Sequence, residues 1–223
     1  MYTIYQNSKD EGHDFGSFKK EMMQICSRHK DEQRALAFAF ILYDFENPQL
    51  WKVLNDNQYW LALNEITGEY LTVFSFNYKE KKKKKREFNI RSRVSYRLSG
   101  IKTTSNPSKG IEELIENYFG ERVVVKYPAI LFFQVDNDAV VDTLLIELKE
   151  ELIEPAFQEL KEYLKSSVEA LKQIKPEYRN NAKEVFDLLE RKVESTKTAR
   201  KIKRVIKNGG NIVGLISSLK GLF

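Results

Sequence analysis

Cysteine and histidine are scarce enough in this chain to be weighed one by one. Cys26 and His29 have a Cys-x-x-His spacing, which would suit a zinc ion or a thiolate–imidazole nucleophile. A metal centre needs three or four ligands, and His13 is the only other histidine, so no metal site is assigned. A nucleophilic pair needs an orienting third group and an oxyanion hole, and the sequence indicates neither. Cys26 shares a helix face with Phe18, Met22 and Ile25 and reads as a buried structural thiol. Asp136 and Asp138 flank Asn137 and offer oxygen ligands to a divalent cation, but Asp and Asn between two apolar runs are first the residues of a hairpin turn. Asp44 and Glu46 fall at the carboxyl end of a strand, where open α/β sheets place their ligands. With Tyr127 and Pro128 they make the pocket candidate, although carboxylates gather at helix N-termini for electrostatic reasons too. There is no P-loop, Gly-x-Gly-x-x-Gly, nucleophile elbow or His-Glu-x-x-His. No catalytic residue or cofactor is assigned, and an unfamiliar site around Asp44 and Glu46 is the one enzymatic alternative.

Charge is the louder signal. Residues 79–109 hold twelve Lys/Arg against Glu80 and Glu87, and residues 191–207 hold eight against Glu194, while the whole chain is only +5. An acidic remainder therefore carries two basic segments, and fields concentrated in this way attract phosphate backbones, anionic lipid or acidic protein surfaces. In the first segment Lys81, Lys82, Lys83, Lys84, Lys85 and Arg86 run together, and Arg91, Arg93 and Arg97 follow on an alternating stretch with Phe88 and Tyr96 interleaved. Guanidinium groups and aromatic rings on a ribbon neutralise phosphates and stack on bases. In the second, Arg200, Lys201, Lys203 and Arg204 precede Ile212, Ile216, Leu219 and Phe223. That make-up suits an interfacial membrane anchor, or a tail that packs on its own domain, a second copy or a partner protein.

The elements that must position these residues follow from periodicity. Tyr2 to Tyr5 reads as a strand and Phe15 to His29 as a helix. Arg34 to Phe45 is apolar on both faces, as a strand covered by helices on each side should be. Asn47 is an N-cap with Pro48 at the first helical position of a helix that Gly68 ends. Tyr70 to Phe76 is a second buried strand, residues 88–98 a one-sided strand, and Gly110 to Phe119 a short helix. Ala129 to Val135 and Ala139 to Leu148 form a hairpin around Asp136 to Asp138. Pro155 opens a helix with Phe157, Leu160, Leu164, Val168 and Leu171 on one face. Pro176 opens another, with Tyr178, Ala182, Val185, Leu189 and Val193, and the two pair as a helical hairpin. Unbroken to Lys207, that last helix would be about 46 Å long and its basic end would project.

This order resembles the thioredoxin-like fold over residues 1–77 and 110–173. Ala39-Phe-Ile-Leu-Tyr-Asp-Phe-Glu-Asn-Pro resembles the family's central strand running into its active-site helix, and Tyr70-Leu-Thr-Val-Phe-Ser-Phe-Asn the next strand. Tyr127-Pro128-Ala-Ile-Leu-Phe-Phe resembles the segment where that family places a cis-proline before a hairpin strand, and Phe157 to Leu164 its closing helix. Where a redox member carries Cys-x-x-Cys, this chain has Glu46, Asn47, Pro48 and Gln49. Disulfide exchange needs a thiolate, so the resemblance implies a redox-inactive binding or structural scaffold.

The sequence thus predicts an α/β protein: a thioredoxin-like mixed sheet flanked by helices over residues 1–173, with a basic insertion at 78–109 and a helical C-terminal extension at 174–223. Apolar stretches too short to span a bilayer, an N-terminus without a signal-peptide pattern and a lone cysteine place it in the cytoplasm. The expected function is a non-enzymatic binding or adaptor module that engages a polyanion, nucleic acid first, with a protein partner or second copy docking at the final segment. The alternative is a peripheral membrane protein or membrane-acting effector. Replacing Lys81 to Arg86 with Ser should weaken nucleic-acid binding and flatten its salt dependence; an unchanged slope in a salt titration would remove that run from the contact surface.

Overall fold

A strand that is apolar on both sides can be satisfied only in the middle of a sheet with cover on each face. In a computed structural model, which describes residues 2–6, 15–43, 57–78, 115–116, 126–149 and 153–207, that is where the run after Leu36 lies. The elements in chain order are β1 (Tyr2–Gln6), α1 (Phe15–Asp31), β2 (Ala37–Leu42), α2 (Asn57–Thr67) and β3 (Leu71–Tyr78). The hairpin β4 (Ala129–Asp136) and β5 (Ala139–Glu147) follows, then α3 (Ile153–Lys172), a 3₁₀ turn (Pro176–Tyr178) and α4 (Ala182–Lys207). The five strands lie in the order β1-β3-β2-β4-β5. β1, β3 and β2 are mutually parallel, whereas β4 is antiparallel to both β2 and β5. The chain is thus an α/β protein with a mixed sheet flanked by helices.

The two faces of the sheet are filled differently. Phe38, Phe40, Phe74 and Phe133 share one face and meet as a cluster, with Phe133 5.5 Å from Phe38, 5.4 Å from Phe40 and 6.1 Å from Phe74 between ring centroids. α1 covers this side, because His29 reaches Thr72, two residues from Phe74 on β3, at 2.7 Å. On the opposite face β2 presents Ala37, Ala39 and Ile41, all buried. Small side chains there let helices approach closely. α4 caps this side, where the buried Gln134 amide donates to Leu36 O at 2.8 Å and to Ala182 O at 3.5 Å. α3 packs between its neighbours: Phe157 meets Tyr59 of α2 edge-on at 4.5 Å, and Leu160, Leu164, Val168 and Leu171 are buried in the core.

Boundaries move where backbone groups find partners that periodicity does not show. β2 starts at Ala37 rather than Arg34, because the N–H groups of Arg34 and Ala35 both donate to His29 O and Gln33 turns with φ +54°. Gly68, at φ +53°, ends α2 as expected. The hairpin turn is as its residues dictate, with Asn137 and Asp138 both at positive φ. The Tyr127–Pro128 peptide is cis. Pro176, expected to open the last helix, opens only the 3₁₀ turn. The helix begins at Ala182, where the Asn181 carboxamide oxygen accepts the Glu184 N–H at 3.2 Å and supplies the N-cap. At 26 residues α4 is about 39 Å long, not 46 Å. Val185, Phe186, Leu189 and Val193 belong to the same apolar cluster as the sheet, so the extension expected from residue 174 is part of the core through Val193. The helix expected to start at Asn47, the strand at 88–98 and the tail 208–223 lie outside the described residues.

His29 is a titratable group that this packing perturbs. Burial, with the Arg34 and Arg28 cations nearby and only Glu32 opposing, lowers its pKa to about 4. The unfolded chain, with an imidazole near 6.5, binds a proton first as pH falls. His29 therefore stabilises the fold fully above pH ~6.5, and that contribution, about 3 kcal/mol at 1.36 kcal/mol per pH unit, is lost between pH ~6.5 and ~4. In urea unfolding the stability gap between the natural chain and His29→Gln should narrow from pH 7 to pH 4; a constant gap would show that another group titrates.

Candidate functional site

The thiol and imidazole that opened the search are built into the fold. Cys26 is fully buried, and burial pushes its pKa well above the ordinary value, with Lys30 only partly opposing. His29 is held neutral and its Nδ1 lies 2.7 Å from the Thr72 hydroxyl. A protonated thiol beside a neutral imidazole lacks the charge separation of a nucleophilic pair. Asp138 accepts a hydrogen bond from Ser27 at 2.9 Å, and the ammonium of Lys30 donates to Val135 O at 2.7 Å. The hairpin tip is thereby tied to α1. Among the described residues, no group of three His, Cys, Asp or Glu is arranged to hold a metal ion. Tyr127 and Pro128 are half-buried at the entrance of β4, where Pro128 O accepts the Leu148 N–H at 2.8 Å. Asp44 and Glu46, expected beside them, lie outside the described residues.

Of the cationic residues expected to meet a polyanion, Lys81 to Arg86, Arg91, Arg93 and Arg97 also lie outside the described residues. The second group is on α4. Its first half carries Glu184, Asp187, Glu190 and Glu194 among its cations, but beyond Glu194 the helix holds Lys197, Arg200, Lys201, Lys203, Arg204 and Lys207 and no acid. Cations at a helix C-terminus also complement the macrodipole. Val193 is buried, whereas no residue from 194 to 201 is. Of the charged half, residues 194–201 are thus partly buried or exposed. Lys201 is exposed; Lys197, half-exposed, pairs with Glu194 at 3.0 Å.

Arg200 behaves differently from the expectation of an open phosphate contact. Its side chain is only 17% exposed, with Nε 3.3 Å from Oε1 of Glu159 and Nη1 bonded to Oε2 of Glu162. Glu159 is itself buried, and its other oxygen accepts the Lys149 N–H at 3.0 Å. The sequence offers one clue to this pair of carboxylates: Glu159 and Glu162 are three apart and flank the apolar stripe of α3, which puts them on one side of the helix. Which cation they meet is a tertiary fact with no local signature.

No protein-family model matches the chain, and neither a curated protein nor a solved structure does. Among the described residues no helix is long and apolar enough to cross a membrane.

Removing the buried Glu159 carboxylate takes away the acceptor of the Lys149 N–H and one of the two carboxylates that face Arg200, at a cost of about 2 kcal/mol. Glu159→Ala should lower the urea-unfolding free energy by about that amount, against under ~0.5 kcal/mol for Lys197→Ala in its exposed pair. Equal effects would show that the two pairs contribute alike.

Proposed function

We infer that this chain is a redox-inactive, thioredoxin-like scaffold serving as a non-enzymatic binding module for a polyanion, nucleic acid first among them. The observation that carries the reading is the charge step on α4. A helix fixed in the core through Val193 continues regularly to Lys207, and its outer half holds six Lys/Arg without one acidic residue. Lys201, Lys203, Arg204 and Lys207 on a regular backbone offer phosphates several contacts at once, and binding of that kind is read by counterion release. The basic run 79–97 supplies the second contact region, and residues 208–223 supply the docking or oligomerisation segment for a protein partner or a second copy. The scaffold part is supported by the order of elements, in which strand, helix, strand, helix and strand precede a hairpin and a closing helix. The absence of a thiol from Glu46 to Gln49 removes disulfide exchange at the corresponding position. Cytoplasmic placement belongs to the same reading.

The test is a titration of the purified chain against short single- and double-stranded nucleic acids and against anionic vesicles, each at two salt concentrations. Salt-sensitive binding to nucleic acid alone is the expected result. Binding to vesicles alone, lost on deletion of residues 208–223, would replace this reading with the membrane one. Binding to neither would leave an acidic protein surface as the target of both basic regions.

A further inference from the structure

α4 has two parts with different relations to the fold. Through Val193 it is held by burial, and past that point it runs on without a buried side chain among residues 194–201. A long helix curves gently where packing does not hold it, so contacts made beyond its last buried residue set how the outer half lies against the body. Arg200 returns to the body of the protein, its guanidinium reaching Glu159 at 3.3 Å through Nε and Glu162 through Nη1. The grip is rigid on the far side as well. Glu159 is 1% exposed and its second oxygen accepts the Lys149 N–H at 3.0 Å, so its carboxylate is tied to the chain leaving β5. Three segments distant in sequence therefore converge on one carboxylate: the exit of β5, the first half of α3 and the outer half of α4.

This arrangement separates two kinds of cation on the same helix. Lys201, next in sequence, is exposed and has its ammonium available to solvent. Arg200 donates through Nη1 to Glu162 and holds Nε within ion-pair distance of Glu159, and turning the guanidinium to a phosphate would take its charge away from a buried carboxylate. Arg204 and Lys207 follow Arg200 at i+4 and i+7 on the helical backbone, so wherever Arg200 is fixed, that stripe of positions is fixed with it.

We propose that Arg200 is a positioning residue, latched to Glu159 and Glu162, that sets the direction of the basic end of α4 and is not itself a phosphate contact. The polyanion reading enters only through the ligand; the latch itself stands on the geometry.

Two readouts test it in the full-length chain. Spin labels at Lys165→Cys and Ala199→Cys, both exposed positions, report the distance between α3 and the outer half of α4 by pulsed dipolar spectroscopy without any ligand. The natural residue at 200 should give a single narrow distribution, and Arg200→Met should broaden it. Glu162→Gln, which removes the half-exposed carboxylate and leaves Glu159 in place, should broaden it less and covers the case in which Arg200→Met fails to fold. Unchanged distributions in the folded variants would overturn the latch. The second readout is the salt dependence of binding to a short single-stranded DNA. Arg200→Met should weaken binding with the slope of log K against log salt unchanged, whereas Lys201→Ser should reduce that slope by about 0.7, one phosphate contact on a single strand. An equal loss of slope in Arg200→Met would make Arg200 a contact and overturn the proposal. If the natural chain binds no DNA, the function proposed above fails while the distance measurement still decides the latch.

Discussion

Everything in this fold is arranged around the burial of β2 on both faces. Six consecutive residues, Ala37 to Leu42, are buried, so this strand must be interior and flanked on each side by partners. Parallel pairing to β3 and antiparallel pairing to β4 follow from that demand, and the two faces then divide the work of filling space. On β2 the phenylalanines face α1, whereas the alanines on the other face leave room for Phe132 of β4 and for the helices on that side. Exchanging the two sets would overfill one side and leave voids on the other, each costing on the order of 1–3 kcal/mol per site. Gln134 shows how closely the second face is filled. Its amide is fully buried and is spent on backbone carbonyls of Leu36 and Ala182, so the start of β2 and the start of α4 are joined through β4.

Much of this was legible in the sequence because it rests on period and on local chemistry. The unbroken apolar run marked β2 as central, the Asp136 to Asp138 cluster marked the turn, and Gly68 marked a helix end. Cys26 read as buried from its neighbours on one helix face, and its burial is what keeps it protonated. The misreadings came where long-range or capping interactions decide. Pro176 is a sound helix-opening residue by local rules, yet the side chain of Asn181 captures the Glu184 N–H and starts the helix six residues later. Arg200 reads with the basic run around it because nothing within a few residues of it points to its carboxylate neighbours. Glu159 and Glu162 that hold it belong to a different helix, and only the packing of α3 on α4 brings them together.

Charge in this protein is sorted by its distance from the core. Along α4 the mixed half is the half that packs, and residues 194–201 of the basic half hold no buried side chain. Acidic neighbours close to the body neutralise cations whose repulsion would otherwise oppose the packing of α3 against α4. Beyond Glu194 the sequence of the helix supplies no further acid, and the field of exposed cations extends over roughly a Debye length, about 8 Å at physiological ionic strength. Arg200 is a cation from the outer half returned to an acidic site near the core, and Lys197 pairs with Glu194.

The outer half of α4 can also be regarded mechanically, as a lever rooted near Val193. The residues 194–207 make an arm of about 21 Å at 1.5 Å per residue. A bend of ten degrees at the root of that length moves its tip by about 3.7 Å, more than the roughly 2.8 Å length of a charge-assisted hydrogen bond. A contact at Arg200, about halfway along the arm, therefore controls alignment with a leverage that one nearer the core would lack. Small changes at a carboxylate on α3 become displacements of several ångströms at the end of the helix.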